Sequence, residues 1–375
     1  MINNFYYNAS TRCHLATKRN SSIELLRIIS MLMIILHHFV YANMDSFLTQ
    51  KSFLQSFFLY VCFSMGKIGV GIFFIISAWY LVDKKVTPHY AMKKAWILEK
   101  EILFWSLLLL GASVVMTKKN LVTVNMHSLI LKSIFPLVKG LWWYASSYVL
   151  FLLLLPALRI GLQALNQSIH KYLSVLVIGV WGIVALFPRL GAINTANGAF
   201  GMALCLVLIA YYKWYMKPIS SRSLICILSG CVAVVIAWWA CIRLVSARLH
   251  VGLAYMVYLT QGWPSLFPCI ISFCIFILFS RLHFSNCLVN KIASCTFGIY
   301  LIHTYPLVND LIWKSNIVPV RMSSNPFFII AYALLIFAIC ALLEFARQSL
   351  FSFIFGKNDG KTFDTLIDKM ARLQQ

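Results

Sequence analysis

The sequence predicts an all-α protein, a polytopic transmembrane helical bundle of about ten helices. Hydrophobic residues make up 61% of the 375 residues and charged residues only 11%, whereas a soluble domain carries about 25% charged residues. The apolar residues form continuous runs, unlike the alternating strands of a membrane barrel. The 32 lysines and arginines outnumber the 10 acidic residues. Most of them lie between apolar runs, where they act as topology signals and headgroup contacts and do not indicate nucleic-acid binding.

The predicted spans follow from apolar runs separated by polar residues, because about 20 apolar residues in a helix satisfy their own backbone hydrogen bonds in lipid. They lie near residues 25–43, 57–82, 102–117, 141–158, 172–188, 196–215, 223–242, 262–280, 289–313 and 326–355. The apolar run 127–138 is too short to cross a bilayer. It contains Lys132 and Pro136 and is placed at the membrane interface.

The chain therefore divides into a cytoplasmic basic segment at 1–22, a transmembrane domain at 23–355 and a cytoplasmic tail at 356–375. The first segment is too polar to be the core of a cleaved signal peptide. The second loop is crowded by Lys84, Lys85, Lys93 and Lys94, whereas the first has only Lys51 against Asp45. The excess of positive charge places both termini in the cytoplasm. One loop disagrees, since four lysines fall on the predicted outer side: Lys118, Lys119, Lys132 and Lys139.

The first span carries Glu24, Arg27, His37 and His38. At 100° per residue, Arg27 and His38 lie about 20° apart around the helix and roughly 16 Å apart along it. They share a stripe that one extended ligand could follow, whereas His37 lies about 80° away. Arg27 suits a phosphate clamp and His38 a general base. Snorkelling to the interface is the weaker alternative explanation for Arg27, whereas a packing hydrogen bond explains His38, taken alone, equally well.

The ninth predicted span supplies a second polar stripe. Thr296, His303 and Asp310 recur every seven residues, Tyr300 lies beside them, and Pro306 is expected to kink the helix next to His303. Such a stripe is typical of a cavity lining, although a histidine that hydrogen-bonds a neighbouring helix gives the same pattern.

The second span reads GKIGVGIFFIISAWYLV at 66–82. Its glycines favour close helix packing over a phosphate-binding turn, because no strand precedes them. Lys67 lies within this apolar run and requires a carboxylate, an anionic ligand or the interface. After it, a charged collar contains Lys93, Lys94 and Lys100 with two glutamates, and it either holds a polyphosphate or is solvated. The 11 cysteines include no Cys-x-x-Cys pair, so buried packing is favoured over a metal or redox role.

Three segments, in this order, resemble the integral-membrane acyltransferase-3 family. They are Glu24-x-x-Arg27 with the Arg-x10-His spacing that ends at His38, the block at 66–82, and FGIYLIH at 297–303. The segment LWWYASSYVLFLLLLP at 141–156 is similar to the family's Leu-Trp-x-x segment. The resemblance implies an acyl-CoA-dependent O-acyltransferase of the cell membrane, which in most relatives moves acetyl from cytoplasmic acetyl-CoA to a hydroxyl of an envelope glycan such as an exopolysaccharide. No metal is implied.

The resemblance carries Arg27 and His38 over as the functional pair, and His303 as the motif histidine of the ninth span. This sequence has Ala78 where the family has glycine after Ser77. Lysines stand in for the family's arginine collar, and a lysine cannot hold a phosphate through two parallel hydrogen bonds. We therefore assign substrate or CoA binding to His303, Lys67, Lys93, Lys94, Lys100 and Tyr300.

The favoured hypothesis is direct transfer. His38 removes the proton of a sugar hydroxyl that attacks the thioester, Arg27 holds a CoA phosphate or the developing oxyanion, and Glu24 orients Arg27. A variant has His38 carry the acyl group itself. The alternative class is a transporter or flippase of a glycan or an anionic small molecule, with Arg27, Lys67 and His303 serving proton coupling or anion passage. A sensor or polymerase is a third class. The sequence leaves open acetyl or succinyl as the group, and it leaves the acceptor open.

Overall fold

The computed structural model describes residues 20–43, 52–120, 125–187, 198–249, 253–314, 325–355 and 360–373. Throughout those ranges the secondary structure is helical and no strand occurs, which confirms the all-α class. Most of the predicted N-terminal segment and both charged residues of the first loop, Asp45 and Lys51, lie outside the described residues.

The helices follow one another along the chain with short connections. They are α1 Ser21–Ala42, α2 Phe53–Leu81, α3 Pro88–Lys118, α4 Met126–Ile134, α5 Trp143–Ala164, α6 Gln167–Val177, α7 Gly198–Tyr215, α8 Ser221–Leu249, α9 Leu266–Ser280, α10 Cys287–Ser294, α11 Thr296–Thr304, α12 Pro306–Asn309, α13 Pro326–Phe355 and α14 Lys361–Leu373. A π-helical turn, Ile178–Ile183, and a 3-10 turn, Val184–Leu186, extend α6, and a second 3-10 segment covers Leu253–Thr260. A further π-helical turn, Asp310–Lys314, follows α12.

Eight helices within the described ranges are long and apolar enough to cross a bilayer: α1, α2, α3, α5, extended α6, α7, α8 and α13. The predicted eighth span forms the shorter apolar helix α9. The predicted interfacial run 127–138 forms the nine-residue helix α4 and a turn. The protein is therefore a polytopic helical bundle.

The predicted ninth span, 289–313, is divided among four helical segments: α10, α11, α12 and the π-helical turn Asp310–Lys314. Helix α11 ends at Thr304, Tyr305 adopts an extended conformation with ψ 136°, and α12 begins at Pro306. Proline has no backbone N–H and excludes the helical conformation from the residue before it, so the break follows from Pro306. His303 is fully buried, whereas Asp310 is exposed. The prediction of one continuous stripe is therefore wrong at Asp310.

Helix α3 begins 14 residues before the predicted span at 102. The Thr87 hydroxyl accepts a hydrogen bond from the Tyr90 amide at 3.2 Å, and Pro88 occupies the first helical turn, a favourable pair of start signals. The predicted collar is consequently the first part of a 31-residue helix and not a loop. Its lysines Lys93, Lys94 and Lys100 are held on one rigid element.

Small residues bring α2 against its neighbours. A Cβ on Gly66 would overlap the His37 ring of α1, and a Cβ on Gly69 would lie 2.7 Å from the Ser30 carbonyl oxygen. A Cβ on Gly71 would lie 2.6 Å from the Ser272 hydroxyl of α9. The glycines of the 66–82 block thus permit the close packing that the sequence predicted.

A buried carboxylate joins α11, α13 and α3. Glu344 is fully buried. It accepts hydrogen bonds from Trp105 Nε1 at 2.8 Å, from Arg347 Nη2 at 2.6 Å and from Gln348 Nε2 at 2.9 Å. A Cβ on Gly298 would overlap this carboxylate. The glycine of FGIYLIH therefore allows α11 to pack directly over the Glu344 network.

The end of the bundle nearest Arg27, called here the Arg27 end, is tied together by polar contacts between helix termini. The Asn20 amide donates to the Leu282 carbonyl at 2.8 Å, Lys213 Nζ donates to the Trp79 carbonyl at 2.7 Å, and Arg281 donates to the Ser221 hydroxyl at 2.5 Å. Because successive helices reverse direction, the N-termini of α2 and α5 and the end of extended α6 meet at the opposite end. The predicted outer lysines near 118–139 also lie towards that opposite end.

Asp83, in the connection after α2, lies at the Arg27 end. Partial burial acts to raise the pKa of its carboxyl, but hydrogen bonds from Lys213 and Trp214 and the lysine charge together lower the pKa below its ordinary value. This carboxylate therefore links α2 to α7 in its ionised form.

We expect Gly298→Ala to lower the free energy of unfolding by about 1–3 kcal/mol, the usual cost of overpacking, because the added methyl group overlaps Glu344. Gly111→Ala is the matched control, since a Cβ there meets nothing within 4 Å and alanine is the better helix former. The measurement is the thermal unfolding midpoint of the purified protein in detergent. An equal midpoint for the two variants would contradict the close contact.

Candidate active site

Two histidines from distant parts of the chain meet inside the bundle. His38 Nδ1, on α1, lies 2.9 Å from His303 Nε2, on α11. His303 Nδ1 lies 2.6 Å from the Ile299 carbonyl oxygen, one turn earlier in α11. The sequence predicted each histidine as a separate candidate. The structure joins them in one hydrogen-bonded chain.

The partners fix where the protons of a neutral pair reside. A carbonyl oxygen can only accept, so His303 Nδ1 carries a proton and donates it to Ile299. His303 Nε2 is then unprotonated and accepts from His38 Nδ1–H. That leaves His38 Nε2 with a free lone pair. The arrangement presents His38 as a proton acceptor, with His303 fixing its tautomer and orientation.

His38 lines a small chamber of about 60 Å³ between α1, α2, α5 and α11. The chamber lining is mainly aromatic and aliphatic: Met31, Ile34, His37, His38, Gly66, Lys67, Val70, Phe73, Trp143, Tyr144, Phe297 and Tyr300. Lys67 is its sole lysine or arginine. Tyr300, predicted to lie beside the histidines, has its ring 6.4 Å from that of His303.

His37 has a different environment from its neighbour. Its Nδ1 lies 2.6 Å from the Phe63 carbonyl oxygen, and its ring covers Gly66. His37 therefore joins α1 to α2 through a hydrogen bond to the backbone. That His38 is the better base of the two histidines stays a prediction from helix geometry.

Arg27 lies on α1, as His38 does, but near the start of the helix. It does not line the His38 chamber. Its Nε lies 3.9 Å from Glu24 Oε2, and this buried Nε has no hydrogen-bond partner among the described residues. The Tyr144 and Tyr148 hydroxyls of α5 lie within electrostatic range of Arg27, and their rings stack with centroids 6.1 Å apart. Tyr144 also lines the chamber, and Tyr148 extends the aromatic surface of α5 beyond it.

The collar lysines differ from one another. Lys93 Nζ lies 2.5 Å from Asp364 Oδ2 of α14. Lys94 Nζ lies 5.9 Å from the centre of the Tyr90 ring. None of Lys93, Lys94 and Lys100 lines the His38 chamber. The structure does not bring these lysines together with the histidines.

Two larger cavities lie nearby. One shares lining residues with the chamber, and the other shares lining residues with the first cavity. The first, called here the aromatic cavity, has a volume of about 770 Å³ and is lined by Lys67, Trp143, Ser147, Trp181, Ala185, Leu186, Gly198, Tyr258, Gln261, Gly262, Trp263, Pro264 and Ser265. The second, of about 460 Å³, is lined almost wholly by apolar side chains of extended α6 and of α7, α8 and α9. It shares Trp181 and Pro264 with the aromatic cavity and contains no histidine.

The geometry first defines a class of protein: a polytopic helical membrane protein with an internal chamber lined by His38, which is hydrogen-bonded to the buried His303. The family model described as an acyltransferase domain, that of the acyltransferase-3 family, matches residues 20–345. The chain therefore belongs to this family and is a membrane acyltransferase. Comparison with curated proteins gave no significant match, and comparison with solved structures gave none.

Sequence reasoning missed three features of the site. It did not predict that His38 and His303 touch, that Trp143 faces the chamber, or that Glu344 forms a buried network with Arg347. The spacing of Glu344 and Arg347, three residues apart within an apolar run, is the signal that could have indicated the network. No group of three or more histidine, cysteine or acidic residues placed to hold a metal ion occurs within the described part of the chain.

We expect His303→Ala to lower kcat for acyl transfer by about ten- to a hundredfold, as loss of an orienting partner does elsewhere, with little change in the KM for the donor. His303→Gln should recover part of kcat, because an amide oxygen can accept from His38 Nδ1–H. Steady-state kinetics of the purified variants in detergent test this. A rise in KM alone, with kcat intact, would assign His303 to binding instead of positioning.

Proposed function

We propose that this acyltransferase moves a short acyl group, acetyl in the first instance, from acyl-CoA to a hydroxyl of a cell-envelope glycan. The single observation that carries the proposal is the hydrogen-bonded chain from the Ile299 carbonyl through His303 to His38. It leaves Nε2 unprotonated on a histidine that lines the chamber. An arrangement of this kind is what general-base catalysis of an acyl transfer requires.

Each bond in the proposed step has a defined partner. His38 Nε2 takes the proton from the acceptor hydroxyl as its oxygen attacks the thioester carbonyl carbon. The carbon–sulfur bond then breaks, and His38 returns that proton to the departing CoA sulfur. The products are an O-acyl ester and free CoA thiol, and the enzyme is restored. His303 stabilises the imidazolium formed in between by keeping Nδ1–H hydrogen-bonded.

Two cations take separate roles. Lys67 lies at the chamber, so its ammonium group is suited to stabilise the negative charge that develops on the thioester oxygen. Arg27 lies roughly 16 Å along the helix from His38, too far for that oxygen. Its buried, unbonded Nε supports a phosphate-binding role at the far end of the CoA chain. Glu24, at 3.9 Å, orients the guanidinium group.

Chamber size supports a short acyl group. A volume of about 60 Å³ is enough for a few water-sized groups, since one water molecule requires a cavity of about 10–15 Å³ on this measure. An acetyl group fits such a space, whereas a long fatty acyl chain does not. We therefore propose acetyl-CoA as the donor. Lys93, Lys94 and Lys100 remain proposed contacts of the CoA phosphates along α3.

Loop charge supports an orientation with the Arg27 end in the cytoplasm, where acyl-CoA is available. Lys84, Lys85, Lys217, Arg222 and Arg281 lie in or beside connections at this end, as positive charge does on the cytoplasmic side. The proposed location is the cytoplasmic membrane of a bacterium. Both termini of the domain then face the cytoplasm.

We expect His38→Ala to lower the rate of acyl transfer by about a hundred- to ten-thousandfold, the usual contribution of a general base. The control is His170→Gln, because His170 is also buried and bonded to a backbone carbonyl, that of Val207 at 3.0 Å, but lies on α6 away from the chamber. The measurement is transfer of labelled acetyl from acetyl-CoA to envelope glycan by the purified protein.

Full transfer by His38→Ala would overturn the assignment of the base. A labelled acetyl group trapped on the wild-type protein, released by neutral hydroxylamine and missing from His38→Ala, would instead select the relay in which His38 carries the acyl group.

Arg27→Ala is expected to raise the KM for acetyl-CoA by about ten- to a hundredfold, because a hydrogen bond to a charged group contributes about 1.5–3 kcal/mol. The variant should discriminate less than wild type between acetyl-CoA and acetyl-dephospho-CoA. Arg222→Ala, an exposed arginine at the same end, controls for lost surface charge. If Arg27→Ala lowered kcat with an unchanged KM, the phosphate role would be wrong.

A further inference from the structure

The aromatic cavity has the composition of a binding site and is not used by the donor half of the proposed reaction. Its volume of about 770 Å³ falls within the range of about 300–1,000 Å³ that small-molecule sites occupy. Four large aromatic side chains line it, Trp143, Trp181, Tyr258 and Trp263, together with Gln261 and Ser265. It therefore combines flat apolar faces with hydrogen-bonding groups.

The aromatic cavity leads to the proposed base. Lys67 and Trp143 line both this cavity and the His38 chamber. A molecule lying in the cavity can therefore direct one hydroxyl past Trp143 towards His38 Nε2. The small chamber holds only the reacting atoms, so the bulk of an acceptor must lie outside it, and the aromatic cavity is the adjoining space.

The cavity also opens on the correct side. Its lining comes from the start of α5, the end of extended α6, the first residue of α7 and the connection at 258–265. The Tyr258 hydroxyl lies 3.5 Å from the Ala185 carbonyl oxygen, which brings two of these segments together. All of them lie at the end opposite Arg27. Donor and acceptor would reach the histidine pair from opposite ends of the bundle.

Charge limits the chemistry of the occupant. The lining contains one cation, Lys67, and no aspartate or glutamate. A nucleotide or polyphosphate would require several cations, and a cationic ligand would require carboxylates. A sugar ring has an apolar C–H face that stacks on indole and hydroxyl groups that bond to amide and hydroxyl side chains, which matches this lining.

We infer that the aromatic cavity, through Trp143, Trp181 and Gln261, binds a neutral sugar unit of the acceptor glycan and presents one of its hydroxyls to His38. This inference rests on the proposed function. Trp143 stacks against the sugar at the junction of the two spaces. It is a specificity residue for the acceptor and does not contact the CoA phosphates.

The test compares three variants in the full-length protein. Trp143→Ala removes the stacking face at a side chain that is 44% exposed, so the fold should be retained. Trp143→Phe keeps an aromatic ring. Ala185→Trp fills the cavity from another wall and leaves Trp143 intact. Tyr172→Ala, which removes an exposed aromatic ring of α6 outside both cavities, is the matched control.

Two readouts separate donor from acceptor. The first is acetate released by mild alkali from the envelope polysaccharide of cells that carry each variant in place of the natural gene. We expect about a tenfold loss or more for Trp143→Ala and Ala185→Trp, partial recovery for Trp143→Phe and no change for Tyr172→Ala. The second is equilibrium binding of labelled acetyl-CoA to the purified protein, which should be the same for all four variants and the wild type.

Failure of the cavity inference and failure of the proposed function give different results. If Trp143→Ala and Ala185→Trp both retain wild-type polysaccharide acetate, the cavity does not bind the acceptor, while the proposed function stands. If Trp143→Ala and Ala185→Trp lose acetyl-CoA binding as strongly as they lose polysaccharide acetate, the inference is also overturned, because the cavity would then bind the donor. If cells lacking the protein keep the same polysaccharide acetate as the wild type, the proposed function itself is wrong.

Discussion

The close approach of α2 to α1 at Gly66 and Gly69 is the contact on which the site depends. Because Gly66 has no side chain, the His37 ring lies against the α2 backbone and bonds to the Phe63 carbonyl. That contact sets the rotation of α1 and turns the next residue, His38, towards α11. Lys67, which follows Gly66, is brought to the same chamber. A larger side chain at position 66 would separate the histidines from the lysine.

The second constraint is the position of α11, which carries His303. Ionised groups within an apolar bundle are costly unless they are paired and hydrogen-bonded. Glu344 meets this requirement through Arg347, Trp105 and Gln348, and Gly298 allows α11 to pack over it. Pro306, two residues after Thr304, then prevents α11 from continuing beyond Thr304. The short helix is thus fixed at both ends, which gives His303 one orientation towards His38.

These two packing constraints place the histidine pair between two ends of the bundle that carry different kinds of side chain. Towards the Arg27 end lie Arg27, Glu24 and the stacked tyrosines of α5. Towards the opposite end lies a wide cavity with indole faces and few charges. An acyl donor with several phosphates and a neutral acceptor would find complementary surroundings at opposite ends. In the proposed reaction, their reacting groups would meet at the histidine pair between them.

The sequence by itself determined the class of the protein and most of its elements. Low charge content and long continuous apolar runs indicate a helical bundle in lipid, since helices satisfy the backbone within each span and a barrel would show alternating strands. The 11-residue spacing of Arg27 and His38 fixed their shared face, and Pro306 marked the break after α11. The resemblance to the acyltransferase-3 family rested on ordered motifs, and the family match bears it out.

Only the tertiary structure decided which of these residues meet. His38 and His303 are 265 positions apart, and periodicity within one helix carries no information about the rotation of another. Asp310 does not lie on the predicted stripe, because α11 ends before Tyr305 and the residues after it do not continue the periodicity of that helix. Lys93 met Asp364 of α14, a partner that no local pattern indicates. Helix packing, set by where glycines permit close approach, turned separate candidate residues into one site.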